Sequence, residues 1–169
     1  TLANLGIAYA DLDDFEKSKE LLERVLAIQE KYRGTEHYEV AITLANLGIA
    51  FGQLKDQQRS QEMLERALAI QEKHYGTEHY RLAFILTNLG IAYGQLKDHQ
   101  KKKELLERAL PILEKHYGTE HRLVAVTLEN LGIAYGQLKD HKKNKESLKR
   151  ASANEENHCS KGFKKKRTC

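Results

Sequence analysis

The sequence predicts an all-α fold, a solenoid of antiparallel helix pairs. Three observations predict it. The first is an internal repeat: Leu2, Leu44, Leu86 and Leu128 lie 42 residues apart without a slip. The tetrapeptides Asn4-Leu5-Gly6-Ile7, Asn46-Leu47-Gly48-Ile49, Asn88-Leu89-Gly90-Ile91 and Asn130-Leu131-Gly132-Ile133 keep the same spacing. The second is a helical period inside each unit. The third is punctuation at fixed places, which cuts each unit into two helices. A fixed period of this length marks one supersecondary unit that stacks on its copies.

The elements follow in order. Residues 1–34 form a first unit whose first helix is cut short. The chain opens in mid-pattern with no secretory signal, as expected of a piece of a longer protein. Residues 35–76 form the second unit, where the pattern is clearest. Ala41, Leu44, Leu47, Ala50, Phe51 and Leu54 fall at spacings of three and four and draw one apolar stripe. The pattern pauses at Lys55-Asp56 and resumes with Met63, Leu64, Ala67, Leu68 and Ile70. Tyr75-Gly76-Thr77 then reads as a helix stop and a new start. Residues 77–118 form the third unit. Residues 43–84 and 85–126 agree at 28 of 42 positions, so the same two helices are expected there. Residues 119–158 form a fourth, degenerate unit. Leu105, Leu110 and Ile112 become Ser147, Ser152 and Asn154, as expected for a capping helix with one polar face. Residues 159–169 read as a basic, disordered tail.

Composition agrees. Hydrophobic residues make up 40% and charged residues 31%, with one proline and no tryptophan, which allows a core built of helix formers. No run reaches the ~20 apolar residues that a membrane helix needs. Residues 1–138 carry 17 basic and 20 acidic side chains, whereas residues 139–169 carry 11 and 4, so the net charge of +4 comes from the end of the chain. Cys159 and Cys169 both fall in the tail, which argues against a disulfide framework and for an intracellular setting. Glu20–Arg24, Glu62–Arg66, Glu104–Arg108 and Glu146–Arg150 read as surface pairs one turn apart.

The pattern resembles a known family. Leu47-Gly48, Phe51, Leu64 and Ala67 match the signature spacing of the tetratricopeptide repeat, as do Leu5-Gly6, Tyr9, Leu22 and Val25, and Leu89-Gly90, Tyr93, Leu106 and Ala109. The 42-residue form with its Tyr-Gly-Thr-Glu-His link is similar to kinesin light chain and nephrocystin-like repeats. The resemblance implies a right-handed superhelix. It also implies a concave groove lined by the first helix of each unit. There are departures. The family often has Trp where Leu44 stands, and Ala where this chain has Ser18, Ser60, Lys102 and Asn144. Lys102 is expected to run its stem along the surface and lift its charge into water. Pro111 is expected to kink the second helix of the third unit. Together they predict looser packing in the third and fourth units.

Helical spacing places Asn4, Asn46, Asn88 and Asn130 on the groove face, with Ile7, Ile49, Ile91 and Ile133 one turn along. Asp11, Gln53, Gln95 and Gln137 follow on the same face. An amide side chain offers donors and an acceptor, so such a row suits the backbone of an extended peptide. Asparagine ladders of this kind are also what the resemblance implies. The same asparagines could instead bond to neighbouring helices and hold the stacking register. The expected function is a protein-interaction scaffold with a protein or peptide partner. A carboxylate clamp built of Lys and Arg is not expected, because the groove positions are Asn, Ile, Gly and Gln, with acidic Glu129 and Asp11. The alternative function is a structural or self-assembly role, in which the uncovered face of Leu2, Leu5, Ala8 and Tyr9 stacks on another copy or on missing repeats of a longer protein. A third is nucleic-acid binding by Lys164-Lys165-Lys166-Arg167, with Phe163 the only aromatic beside them. The recurring His37, His79 and His121, and His74, His116 and His158, read as helix-end residues and not as a metal site. No set of acid, base and nucleophile can be placed. No enzyme activity, cofactor, metal, small-molecule substrate or membrane contact is expected.

Overall fold

The computed structural model describes the backbone of residues 1–165 and the side chains of residues 1–154. The described chain is a row of helices: α1 (Leu2–Asp11), α2 (Phe15–Arg33), α3 (Tyr38–Gln53), α4 (Gln57–Tyr75), α5 (Tyr80–Gln95), α6 (His99–Tyr117), α7 (Arg122–Gln137) and α8 (His141–Lys165). They pair in sequence as hairpins, and each second helix also packs on the first helix of the next hairpin. The first helices α1, α3, α5 and α7 approach one another backbone to backbone. The second helices are farther apart, so the row curves with the first helices inside.

The local chemistry explains each boundary. Asp14, Asp56, Asp98 and Asp140 accept a hydrogen bond from the backbone N–H three residues on, at 2.9–3.2 Å, and so start the second helices. His37, His79 and His121 start α3, α5 and α7, each accepting on Nδ1 from the backbone N–H two residues on. The recurring histidines are thus helix caps. Gly34, Gly76 and Gly118 end the second helices at φ 77–84°, a region that disfavours any side chain.

The core is one stripe of each helix. Leu44, Leu64 and Leu86 are buried in one large leucine and alanine cluster, and Leu106 in a smaller one with Leu131 and Tyr135. Gly48 lets α3 and α4 meet. A methyl group there would lie 2.6 Å from Leu64 Cγ, closer than carbon atoms can pack.

Three expectations need correction. Lys102 does not carry its charge into water. It is 7% exposed, and its Nζ donates to Asn130 Oδ1 at 3.1 Å. Pro111 lies inside α6, which runs the same 19 residues as α2 and α4. Its ring is exposed. The third hairpin is also no looser than the second: Leu105, Leu106, Ala109, Ile112 and Leu113 are all buried. Finally, the arginines of the second helices turn away from their own-helix glutamates. Arg66 pairs with Glu30 at 2.7 Å, Arg108 with Glu72 at 2.6 Å, and Arg150 with Glu114. They bridge neighbouring second helices across the gap that the curvature opens.

The last hairpin keeps its inner face. Ser147, Ala151 and Asn154 are buried, and Asn154 Nδ2 donates to Thr119 O at 2.6 Å, which ties α8 to the loop before α7. Helix α8 runs on to Lys165, past the boundary at His158 where the sequence suggested an irregular tail. The side chains of Cys159, Phe163 and Lys164, and all of residues 166–169, lie outside the described residues.

Candidate peptide-binding groove

Four positions of each first helix share the inner face, at spacings of four, three and four. On α3 they are Ile42, Asn46, Ile49 and Gln53; on α5, Phe84, Asn88, Ile91 and Gln95; on α7, Val126, Asn130, Ile133 and Gln137. On the shorter α1 only Asn4, Ile7 and Asp11 remain, and all three are exposed. The structure brings two sets of these residues to clefts.

One cleft, of about 170 Å³, opens between α3 and α5. Ile49, Gln53, Asn88, Ile91 and Gln95 line it, together with Gln57 and Ser60 of α4. Gly48 and Gly52 of α3 also line it. The second cleft, of about 370 Å³, lies toward the helix N-termini. Ile42, Phe84, Ile85, Leu113 and Leu123 give it apolar walls, and Asn46, Tyr80, Arg81 and Tyr117 stand around it. Ile42 is 37% exposed and Phe84 45%, so both offer apolar surface to the cleft. These two were missed by the sequence reading, which centred on the Asn-Leu-Gly-Ile block. The signal was available one turn earlier, but that position reads Ile42, Phe84 and Val126, and so does not repeat as an identity.

Gln71 of α4 also lines this cleft. It is 3% exposed and its Oε1 has no hydrogen-bond partner. The cause is a departure between repeats. Gln29, its counterpart, accepts from Thr43 Oγ1 at 2.7 Å. The residue 42 positions after Thr43 is Ile85, which has nothing to donate. A buried acceptor left empty costs roughly 1–3 kcal/mol, and a donor brought by a ligand would recover it.

The asparagines divide. Asn88 Nδ2 donates to Phe84 O at 2.9 Å, one turn back, and its remaining capacity faces the smaller cleft. Asn130 is held at both ends, Nδ2 donating to Val126 O at 3.0 Å and Oδ1 accepting from Lys102. Asn4 and Asn46 make no side-chain hydrogen bond among the described residues, and Asn46 borders the larger cleft. Ile133 is exposed beyond both clefts, and Gln137 stands with it at the α7 end of the face.

Below the groove, two tyrosines tie first helices to second ones. Tyr135 Oη donates to Glu107 Oε1 at 2.6 Å, and Tyr93 makes the equivalent bond to Glu65. Burial and the neighbouring carboxylate push the Tyr93 hydroxyl up to about 12 and the Tyr135 hydroxyl higher still. Both therefore stay protonated donors. Among the described residues, no group of three or more His, Cys, Asp or Glu converges as a metal site. No described helix is long and apolar enough to cross a membrane.

Helix pairs of one length, stacked on a 42-residue period around an inner face, define a tetratricopeptide repeat array. The family model for the tetratricopeptide repeat matches residues 1–73 and 60–115, so the chain belongs to this family. Its repeats are of the kinesin light chain type. The chain is similar to BtubC (BKLC) from P. vanneervenii, at 26% identity and a TM-score of 0.84 over 93% of this chain. It spans 63% of that protein's length. It is also similar to the nearly identical repeats of a putative kinesin light chain from Podosopora anserina, at 28% identity and a TM-score of 0.75, over 94% of this chain and 75% of that one. MamA shares the fold at 21% identity and a TM-score of 0.70, covering 94% of this chain and 79% of its own. Among curated proteins, none matches the chain. The tetratricopeptide fold is typical of protein–protein interaction scaffolds.

Proposed function

We propose that the inner groove holds an extended segment of a partner protein, with the larger cleft taking its anchoring side chain. The observation that carries this reading is the pairing of exposed apolar walls at Ile42 and Phe84 with the buried, unpartnered Gln71 Oε1. A bulky side chain that carries a hydrogen-bond donor satisfies both at once. The amides of Asn46, Asn88, Gln53 and Gln95 then face the backbone on either side of the anchor. Anchors in pockets of this kind commonly carry 2 kcal/mol or more of a peptide's affinity.

The test begins with a random peptide library displayed against the full chain. Peptides so selected should lose binding to the Asn46→Ala, Asn88→Ala double variant while its melting temperature stays near wild type. Unchanged affinity with intact folding would count against the groove. Loss of folding would assign the asparagines to the stacking register.

A second reading rests on α1. Leu5 is 47% exposed, whereas its repeat counterpart Leu47 is 1%. A helix of the α2 kind laid on this face, from another copy of the chain, would cover it. Light scattering that finds a monomer at every concentration would remove this reading.

A further inference from the structure

The α3/α5 and α5/α7 gaps between inner helices are built on one plan, yet one side chain makes them unlike. In the α3/α5 gap the second helix contributes Ser60. Its hydroxyl would lie 3.2 Å from a methyl group placed on Gly52, and the cleft above it stays open. The residue 42 positions later is Lys102. Its Cδ would lie 2.6 Å from a methyl group on Gly94, the counterpart of Gly52, and its Cε and Nζ 3.4 Å. The stem therefore lies against the α5 backbone. The ammonium reaches Asn130, the counterpart of Asn88, on the far side of the gap. One side chain thus starts where Ser60 lines the open cleft, crosses the floor, and ends on the far wall.

We propose that Lys102 closes the α5/α7 subsite of the groove, so that of these two gaps only the one between α3 and α5 admits peptide groups to its floor. This rests on the groove reading above and adds its extent. The open subsite is lined by the amides of Gln53, Gln57, Asn88 and Gln95, which match the donors and acceptors of a peptide group. Across the closed one, the amide of Asn130 is engaged at both ends and has little left to offer. Burial of the Lys102 ammonium beside one neutral amide also lowers its affinity for a proton, as expected of a group placed there to fill space. Asn144 takes this place in the last hairpin, where its Nδ2 donates to Gly132 O at 3.0 Å and it too fills the space over a glycine.

The test uses N-methylacetamide, a mimic of one peptide group, titrated into the full chain. The side-chain amide signals of Asn88, Gln95, Asn130 and Gln137 are followed by NMR. In the wild type, Asn88 and Gln95 should shift and Asn130 and Gln137 should stay still. In Lys102→Ser all four should shift. In Ser60→Lys, the converse exchange, the shifts at Asn88 and Gln95 should vanish. The chain already tolerates a lysine over a glycine at Lys102 and Gly94, which makes this variant a folding-compatible control. Equal shifts at Asn130 and Gln137 in wild type and Lys102→Ser would overturn the proposal, as would a Lys102→Ser chain in which they stay still. Still signals at Asn88 and Gln95 in the wild type would count against the groove reading itself. The response of Asn130 and Gln137 in Lys102→Ser decides the role of Lys102 either way.

Discussion

The second and third hairpins have nearly the same sequence, the same helix lengths and the same leucine core, yet they present different surfaces to the groove. The core positions repeat because each must fill the same space between the same neighbours. The positions that differ lie where the repeat leaves a choice. Ser60 and Lys102 decide whether a gap is open. Thr43 and Ile85 decide whether a buried glutamine has a partner. The amides and isoleucines of the groove repeat with the scaffold, and departures from identity set one gap apart from the next.

The largest expected effects probe the shared part. Leu64→Ala and Leu106→Ala each remove a fully buried leucine that packs on a first-helix glycine. Each should cost about 2–5 kcal/mol in chemical denaturation, and the two losses should be similar. A much smaller loss at Leu106 would show that the third hairpin is looser after all.

The next comparison uses the tyrosines. Tyr135→Phe removes a hydroxyl bonded to Glu107 and should cost about 1 kcal/mol. The second hairpin has Phe51 at this place and Glu23 at the carboxylate place. Phe51→Tyr should therefore add stability of the same order, in a thermal melt, and make the two hairpins more alike.

A pH series isolates Lys102. Burial holds its ammonium below the ordinary lysine value. The folded chain then releases this proton at a lower pH than the unfolded chain. Between the two values the unfolded chain binds more protons, so stability should rise with pH across that window. Lys102→Met should remove this rise, while Lys101→Met, a change at an exposed neighbour, should not. The smallest effect belongs to the bridges between second helices. Arg108→Ala loses a partly exposed ion pair with Glu72, worth about 0.2–1 kcal/mol in denaturation and less at high salt.

Much of this was legible in the sequence because the repeat made it redundant. Every stripe, glycine and turn appears in several copies. The groove residues Ile49, Gln53, Asn88, Ile91 and Gln95 do line one cleft, because helical spacing alone puts them on one face. What was not legible depends on neighbours distant in sequence. Arg66 reaches Glu30 across 36 residues in preference to Glu62 on its own helix. Lys102 has a surface-seeking side chain, but the gap over Gly94 and the amide of Asn130 offer it an interior place. Ile42 and Phe84 were hidden by their variety.

The central claim is that the inner groove anchors a side chain between Ile42 and Phe84. The most direct measurement is calorimetric titration of a library-selected peptide into the wild-type chain and into Phe84→Asp. Phe84 is exposed, so the fold should keep its melting temperature within a few degrees. The account predicts at least a roughly tenfold loss of affinity, about 1.4 kcal/mol or more. Undiminished binding by a folded Phe84→Asp chain would contradict it.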